Sequence, residues 1–142
     1  MNEETIDRLT AKFAEHPVLR GRPAADAAIE SAQQRLKCRF DRDYIEFLRR
    51  FGSAVVGPNS IFGIGVADAM GEDEEVVEQT ERFRAQRWPG VGNWYIVSVD
   101  GRGNPIGIAP DGKVRLSDHD VGDISDVAES YEMFLVNCCL NQ

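Results

Sequence analysis

Asp118, His119 and Asp120 stand in a row, and an imidazole between two carboxylates is a set that can hold a metal ion or relay a proton. Consecutive residues on extended backbone point to opposite sides, so the three do not converge on one ion without help. The other candidates, Asp100 and His16, have no diagnostic spacing. The segment reads better as a turn in which the Asp side chains bond nearby amides and His119 packs or caps. Asp100-Gly101-Arg102-Gly103-Asn104 alternates polar residues like a calcium loop, but it lacks the bidentate Glu and places Arg102 among the ligands. Neither a helix nor Gly-Lys-Ser follows its glycines, as a phosphate cradle requires. No Ser, Cys or Lys sits in a nucleophile motif, so no enzyme, metal or cofactor is expected. A small metal-dependent hydrolase using Asp118, His119 and Asp120 stands behind two binding readings.

Charge points to the class of partner. The 142 residues carry 24 acidic and 16 basic side chains, a formal net charge of −8. Such a surface repels phosphate backbones and acidic membranes and speeds encounter with cationic proteins, so the expected partner is a basic protein and not a nucleic acid. The densest negative run is Glu72, Asp73, Glu74 and Glu75, with Asp68, Glu78 and Glu81 nearby. It reads equally as a solvated helix start or as the charged rim of a binding surface. Trp94 reads either as the aromatic anchor of that surface or as a core ring with its indole N–H bonded to backbone. Trp94, Asp100, Arg102, Asp118, Glu72, Asp73, Glu74 and Glu75 are the expected partner-facing residues.

The N-terminus lacks the cationic-then-apolar layout of a secretory signal, and no apolar run reaches membrane-spanning length, so a cytoplasmic protein is expected. Three cysteines, two of them adjacent, suggest neither a disulfide framework nor a zinc site; Cys38 and Cys138 read as small packed groups.

The elements that must position these residues follow from periodicity. Ile6, Leu9, Phe13 and Ala14 predict a helix over residues 3–16, stopped by Pro17. Pro23 opens a second, small-faced helix through Leu36. A third runs from an Asp41 N-cap through Tyr44, Ile45, Leu48 and Phe51 to Gly52, in the left-handed C′ position. Residues 54–57 and 61–64, separated by a Pro58-Asn59 turn, predict a β-hairpin or two edge strands. A fourth helix starts within the carboxylates of residues 71–75 and ends near Trp88. Residues 94–99 are apolar on both faces and predict a strand inside a sheet, at the centre of the fold. Two more strands follow, joined by Pro110-Asp111-Gly112, the second with Val114 and Leu116 inward and Lys113, Arg115 and Ser117 outward. Val127, Ala128, Tyr131, Phe134, Leu135 and Cys138 predict one last helix. Runs of strands and helices without strict alternation predict a single α+β domain over residues 1–142, with its core at about 24–139. Its mainly antiparallel or mixed sheet packs against N-terminal helices and a C-terminal helix.

Several motifs stand in the order of a known family: Asp43-Tyr44-Ile45-Glu46-Phe47-Leu48 ending at Gly52, Ile61-Phe62-Gly63, Trp94 with Ile96, the Asp100-Gly101-Arg102-Gly103-Asn104 loop, Gly112-Lys113-Val114, and Asp118-His119-Asp120 before Tyr131. Together they resemble the SUKH superfamily of Smi/Knr-like immunity proteins. Asp41 stands where that family usually has Pro, and Phe51-Gly52-Ser53 replaces its common Asn-Gly-Gly. The resemblance implies a non-enzymatic α+β domain, in most bacterial members an immunity protein that neutralises a cognate toxin. The acidic charge fits a basic toxin, as many nuclease domains are. Some relatives instead serve as interaction modules in larger regulatory proteins, which is the second binding reading.

Overall fold

The computed structural model describes residues 1–141. Its elements are α1 (Glu3–Glu15), α2 (Asp26–Leu36), α3 (Arg42–Phe51), β1 (Ala54–Val56), β2 (Asn59–Ile61), α4 (Val76–Ala85), β3 (Tyr95–Val99), β4 (Pro105–Ile108), β5 (Val114–Asp118), β6 (Asp123–Ala128) and α5 (Tyr131–Phe134), the last continuing as a π-helix over Leu135–Leu140. β1 and β2 make a hairpin, and the other strands form an antiparallel sheet in the order β3-β4-β5-β6. The expected α+β class is observed, with helices at both ends of the chain.

α3 organises the core. Asp41 caps it by accepting the Asp43 N–H at 3.0 Å, and Tyr44, Phe47, Leu48 and Phe51 bury one face. The Tyr44 ring lies 5.2 Å from each of Phe40, Tyr95 and Tyr131, and its hydroxyl donates to the Phe62 carbonyl at 2.7 Å. The Asp41 N–H in turn donates to the Tyr95 hydroxyl at 2.7 Å. Burial raises the pKa of Tyr44, Tyr95 and Tyr131, so all three stay protonated. The core also reaches α1, through Leu9 and Phe13.

α3 ends differently from the expectation. Gly52 has φ +75° and ψ −65°, and the Ser53 N–H donates to the Phe51 carbonyl at 2.9 Å. That is a positive-φ γ-turn, not a left-handed helical cap. A Cβ there would lie 2.0 Å from the Arg22 carbonyl oxygen. The tightness comes from residues 21–24, which the sequence placed at a helix start. They run extended, bonded through Gly21 N–H to Ser53 O and Ala24 N–H to Leu48 O, so α2 begins only at Asp26.

Five further expectations are corrected. Residue 59 is already paired, opposite Val56, so the hairpin turns at Gly57-Pro58. α4 starts after the carboxylates: Val76 N–H donates to Gly63 O at 2.9 Å and Gly65 N–H to Glu75 Oε1 at 2.6 Å, which holds residue 75 extended as the N-cap. β3 is the end strand of its sheet, not an inner one. It is buried because residues 60–62 line its other edge, with Phe62 N–H on Val97 O and Ser98 Oγ on Ser60 O, both at 2.8 Å. Val127 and Ala128 belong to β6, an additional strand, and the last helix begins only after Ser130, whose Oγ accepts the Met133 N–H at 3.2 Å. The outward face of β5 is not wholly wet either: Ser117 is fully buried, donating to Pro89 O at 2.6 Å, while Leu116 is half-buried.

Two comparisons test this core by urea or thermal unfolding. Tyr44→Phe strands the Phe62 carbonyl and lowers stability by about 1–2 kcal/mol, whereas Tyr131→Phe, which removes a buried hydroxyl with no partner, is neutral or stabilising. Gly52→Ala lowers stability by at least about 2 kcal/mol, through both φ and the Arg22 contact.

Candidate functional site

The β5–β6 turn carries the most exposed apolar residue of the sheet among acidic neighbours. Val121 is 69% and Ile124 45% exposed, and Asp118, Asp120 and Asp123 surround them. Among the described residues no Lys or Arg pairs with these three carboxylates. The neighbouring Asp126 and Glu129 differ, since Arg115 meets Asp126 at 3.0 Å and Lys113 reaches both at 3.9 Å.

The turn is built from its own side chains and from the loop beside it. Asp118 Oδ1 accepts the N–H groups of Asp120 at 2.9 Å and Val121 at 3.4 Å, the turn role the sequence suggested. The His119 ring packs on Trp88 at 4.9 Å between centroids, and the His119 N–H donates to Asn104 Oδ1 at 3.3 Å. Asn104 is itself held by Asp100, whose Oδ1 accepts the Asn104 and Arg102 N–H groups at 2.8 and 2.9 Å and whose Oδ2 accepts Asn104 Nδ2 at 3.0 Å. Burial pushes the Asp100 pKa up, but these hydrogen bonds from Asn104 and Arg102 outweigh it and hold the carboxyl below its ordinary value. A continuous relay thus joins the β3–β4 loop to the β5–β6 tip.

The sequence-selected residues therefore divide. Asp118 stands in the tip and Arg102 is exposed on the adjoining loop, while the Asp100 carboxylate is spent on positioning. Trp94 is 3% exposed and belongs to the core. Its indole packs where Gly107 has no side chain, since a Cβ at Gly107 would lie 3.0 Å from Trp94 Cε3. At Gly90 a Cβ would meet Ile124 Cδ1 at 2.3 Å and Trp94 Cζ2 at 3.4 Å, so Trp94 shares this floor with Ile124. Glu72 and Asp73 are exposed and Glu74 half-buried, but Glu75 bonds Gly65. They precede α4, whereas Trp88 and Pro89, which touch the tip, follow it. The ten residues of α4 span about 15 Å, so the two acidic clusters sit at its opposite ends. Val121, Asp123 and Ile124 were not singled out by sequence, and Asp120 was weighed only as a metal ligand, catalytic group or turn residue; reading residues 123–128 as a strand would have exposed the turn.

Among the described residues no three His, Cys, Asp or Glu side chains are placed to hold a metal ion. The three cysteines are free; burial raises the Cys138 thiol and pushes Cys139 up to about 12, which leaves both protonated and poorly nucleophilic. Among the described residues no helix is long and apolar enough to cross a membrane. A family model, SUKH_5, described as SMI1-KNR4 cell-wall, matches residues 2–140. The chain belongs to the SUKH superfamily. No curated protein matches it. Within this SUKH chain, the aromatic face of α3, the Trp94 strand, the Asp100 loop and the Asp118 turn form one connected structure.

Asp100→Ala lowers stability by about 1–2 kcal/mol and loosens the tip, seen as faster amide exchange at residues 118–121. Because the folded pKa is depressed, this contribution is complete above the unfolded carboxyl's pKa of about 3.9. It is lost as pH falls through the lower folded value, so the variant and the parent converge in acid.

Proposed function

We propose that this protein is a cytosolic immunity protein that binds and neutralises a cognate basic toxin domain, such as a nuclease, through the β5–β6 tip. One observation carries the reading: unpaired Asp118, Asp120 and Asp123 surround exposed Val121 and Ile124. Apolar side chains inside a charged rim suit a cationic partner, because the carboxylates steer encounter while the apolar pair is desolvated on docking. Membership of the SUKH superfamily and the net charge of −8 support the same reading. Glu72 and Asp73, with Arg102, are secondary contacts in this scheme. Inhibition is stoichiometric, by covering or distorting the toxin's working surface, and no covalent bond is broken by this chain.

Co-expression with the toxin encoded beside its gene protects the host cell, and the two chains elute as one complex. Reversing Asp120 and Asp123 to Lys, with the turn-building Asp118 kept, leaves the fold intact by circular dichroism and weakens binding at least about tenfold, mostly when measured at low salt. Unchanged protection by the reversed variant removes the tip from the mechanism. Substrate turnover abolished by His119→Ala contradicts the non-enzymatic reading.

A further inference from the structure

The acidic average conceals a basic groove. An open depression of about 750 Å³ lies along α3 and the segment before it, lined by Arg39, Arg42, Arg49 and Arg50, with Phe40 and Ile45 as its apolar part. All four arginines are exposed. Arg49 meets Asp26 at 2.8 Å in a solvent-exposed pair that a ligand can replace at little loss, while Arg50 meets Glu46, a half-buried lining carboxylate also held by the N-terminal amine, at 3.4 Å. Arg39 and Arg42 have no carboxylate partner among the described residues. Arg42 is moreover the first residue of α3, where the helix dipole disfavours a cation. A guanidinium held there without a partner works against the stability of its own helix.

Spacing defines what the groove fits. Arg42, Ile45 and Arg49 stand at i, i+3 and i+7, on one face of α3, so the two cations lie about 10 Å apart along the axis with the apolar side chain between them. In an extended peptide, side chains on one face recur every second residue, so carboxylates four residues apart share a face at a separation of about 13 Å, which two flexible arginine side chains rooted about 10 Å apart can span. We propose that this groove docks an extended acidic segment of a protein, with carboxylates four residues apart and the apolar side chain midway between them, on the same face, resting on Ile45 and Phe40. Guanidinium forks match carboxylates geometrically, and the charges are complementary. The rest of the surface is more negative than the net charge of −8 because these four cations are counted within it, which disfavours a long polyanion such as RNA. The groove shares no residue with the β5–β6 tip, so this ligand is separate from the proposed toxin.

Fluorescence anisotropy with the full chain tests this, using a labelled peptide in which glutamates four residues apart flank a central leucine. The expected result is saturable binding that weakens with salt and drops at least about tenfold in Arg39→Glu/Arg42→Glu, with Lys12→Glu unchanged. Arg42→Gln lowers binding while holding or raising the melting temperature, which separates a ligand-binding role from a structural one. Absence of saturable binding, an equal loss in Lys12→Glu, or displacement of the peptide by a short single-stranded RNA at lower concentration overturns the proposal.

Discussion

One ring sets the geometry of the whole molecule. Tyr44 packs against Phe40 before α3, Tyr95 at the start of β3 and Tyr131 at the start of α5, and its hydroxyl fixes the chain leaving β2 at Phe62. Segments far apart in sequence thereby meet on one side chain. Edge-to-face and tilted aromatic contacts are directional as well as apolar, so this cluster specifies orientation as well as burial. The bond from the Asp41 amide to Tyr95 makes the constraint reciprocal: the cap of α3 is tied to the strand against which α3 packs.

From that frame the proposed binding surface follows by short steps. β3 leads into the Asp100 loop, which holds Asn104, which holds the His119 amide, while Trp88 supports the His119 ring. Trp94 fills the space left by Gly107 and borders the same glycine, Gly90, on which Ile124 rests. A short acidic turn with exposed apolar side chains is thus held by a side-chain hydrogen-bond relay on one side and a packed floor on the other. Holding it in place beforehand reduces the ordering entropy that a flexible loop would lose on binding. The charge distribution is segregated as well: carboxylates without cations collect at this turn, and arginines collect along α3.

Much of this was legible in the sequence, for identifiable reasons. α3 was readable because its cap, its apolar face and its terminal glycine agree with one another. The turn at residues 109–112 was readable because Pro110, Asp111 and Gly112 each have a local role; Gly112 N–H bonds Ala109 O and Lys113 N–H bonds Asp111 Oδ1. What escaped was decided by distant partners. The start of α4 moved because Gly63 and Gly65 capture residues 75 and 76, and the start of α2 moved because Ser53 and Leu48 hold residues 21 and 24. β6 was hidden because Val127 and Ala128 continue the helical spacing of Tyr131 and Phe134 backwards, although Ser130 marks the real boundary. Trp94 could not be placed from sequence, since only the pairing of Gly107 with Ile96 shows where its ring goes.

The central claim is that a rigid aromatic frame presents the β5–β6 turn to a cationic partner without itself rearranging. Hydrogen–deuterium exchange of the chain alone and in complex with the proposed toxin addresses both halves at once. The account predicts new protection concentrated at residues 117–126, with the already slow amides of α3 and β3 unchanged. Protection confined to other surfaces, or faster exchange across α3 and β3 in the complex, would contradict it.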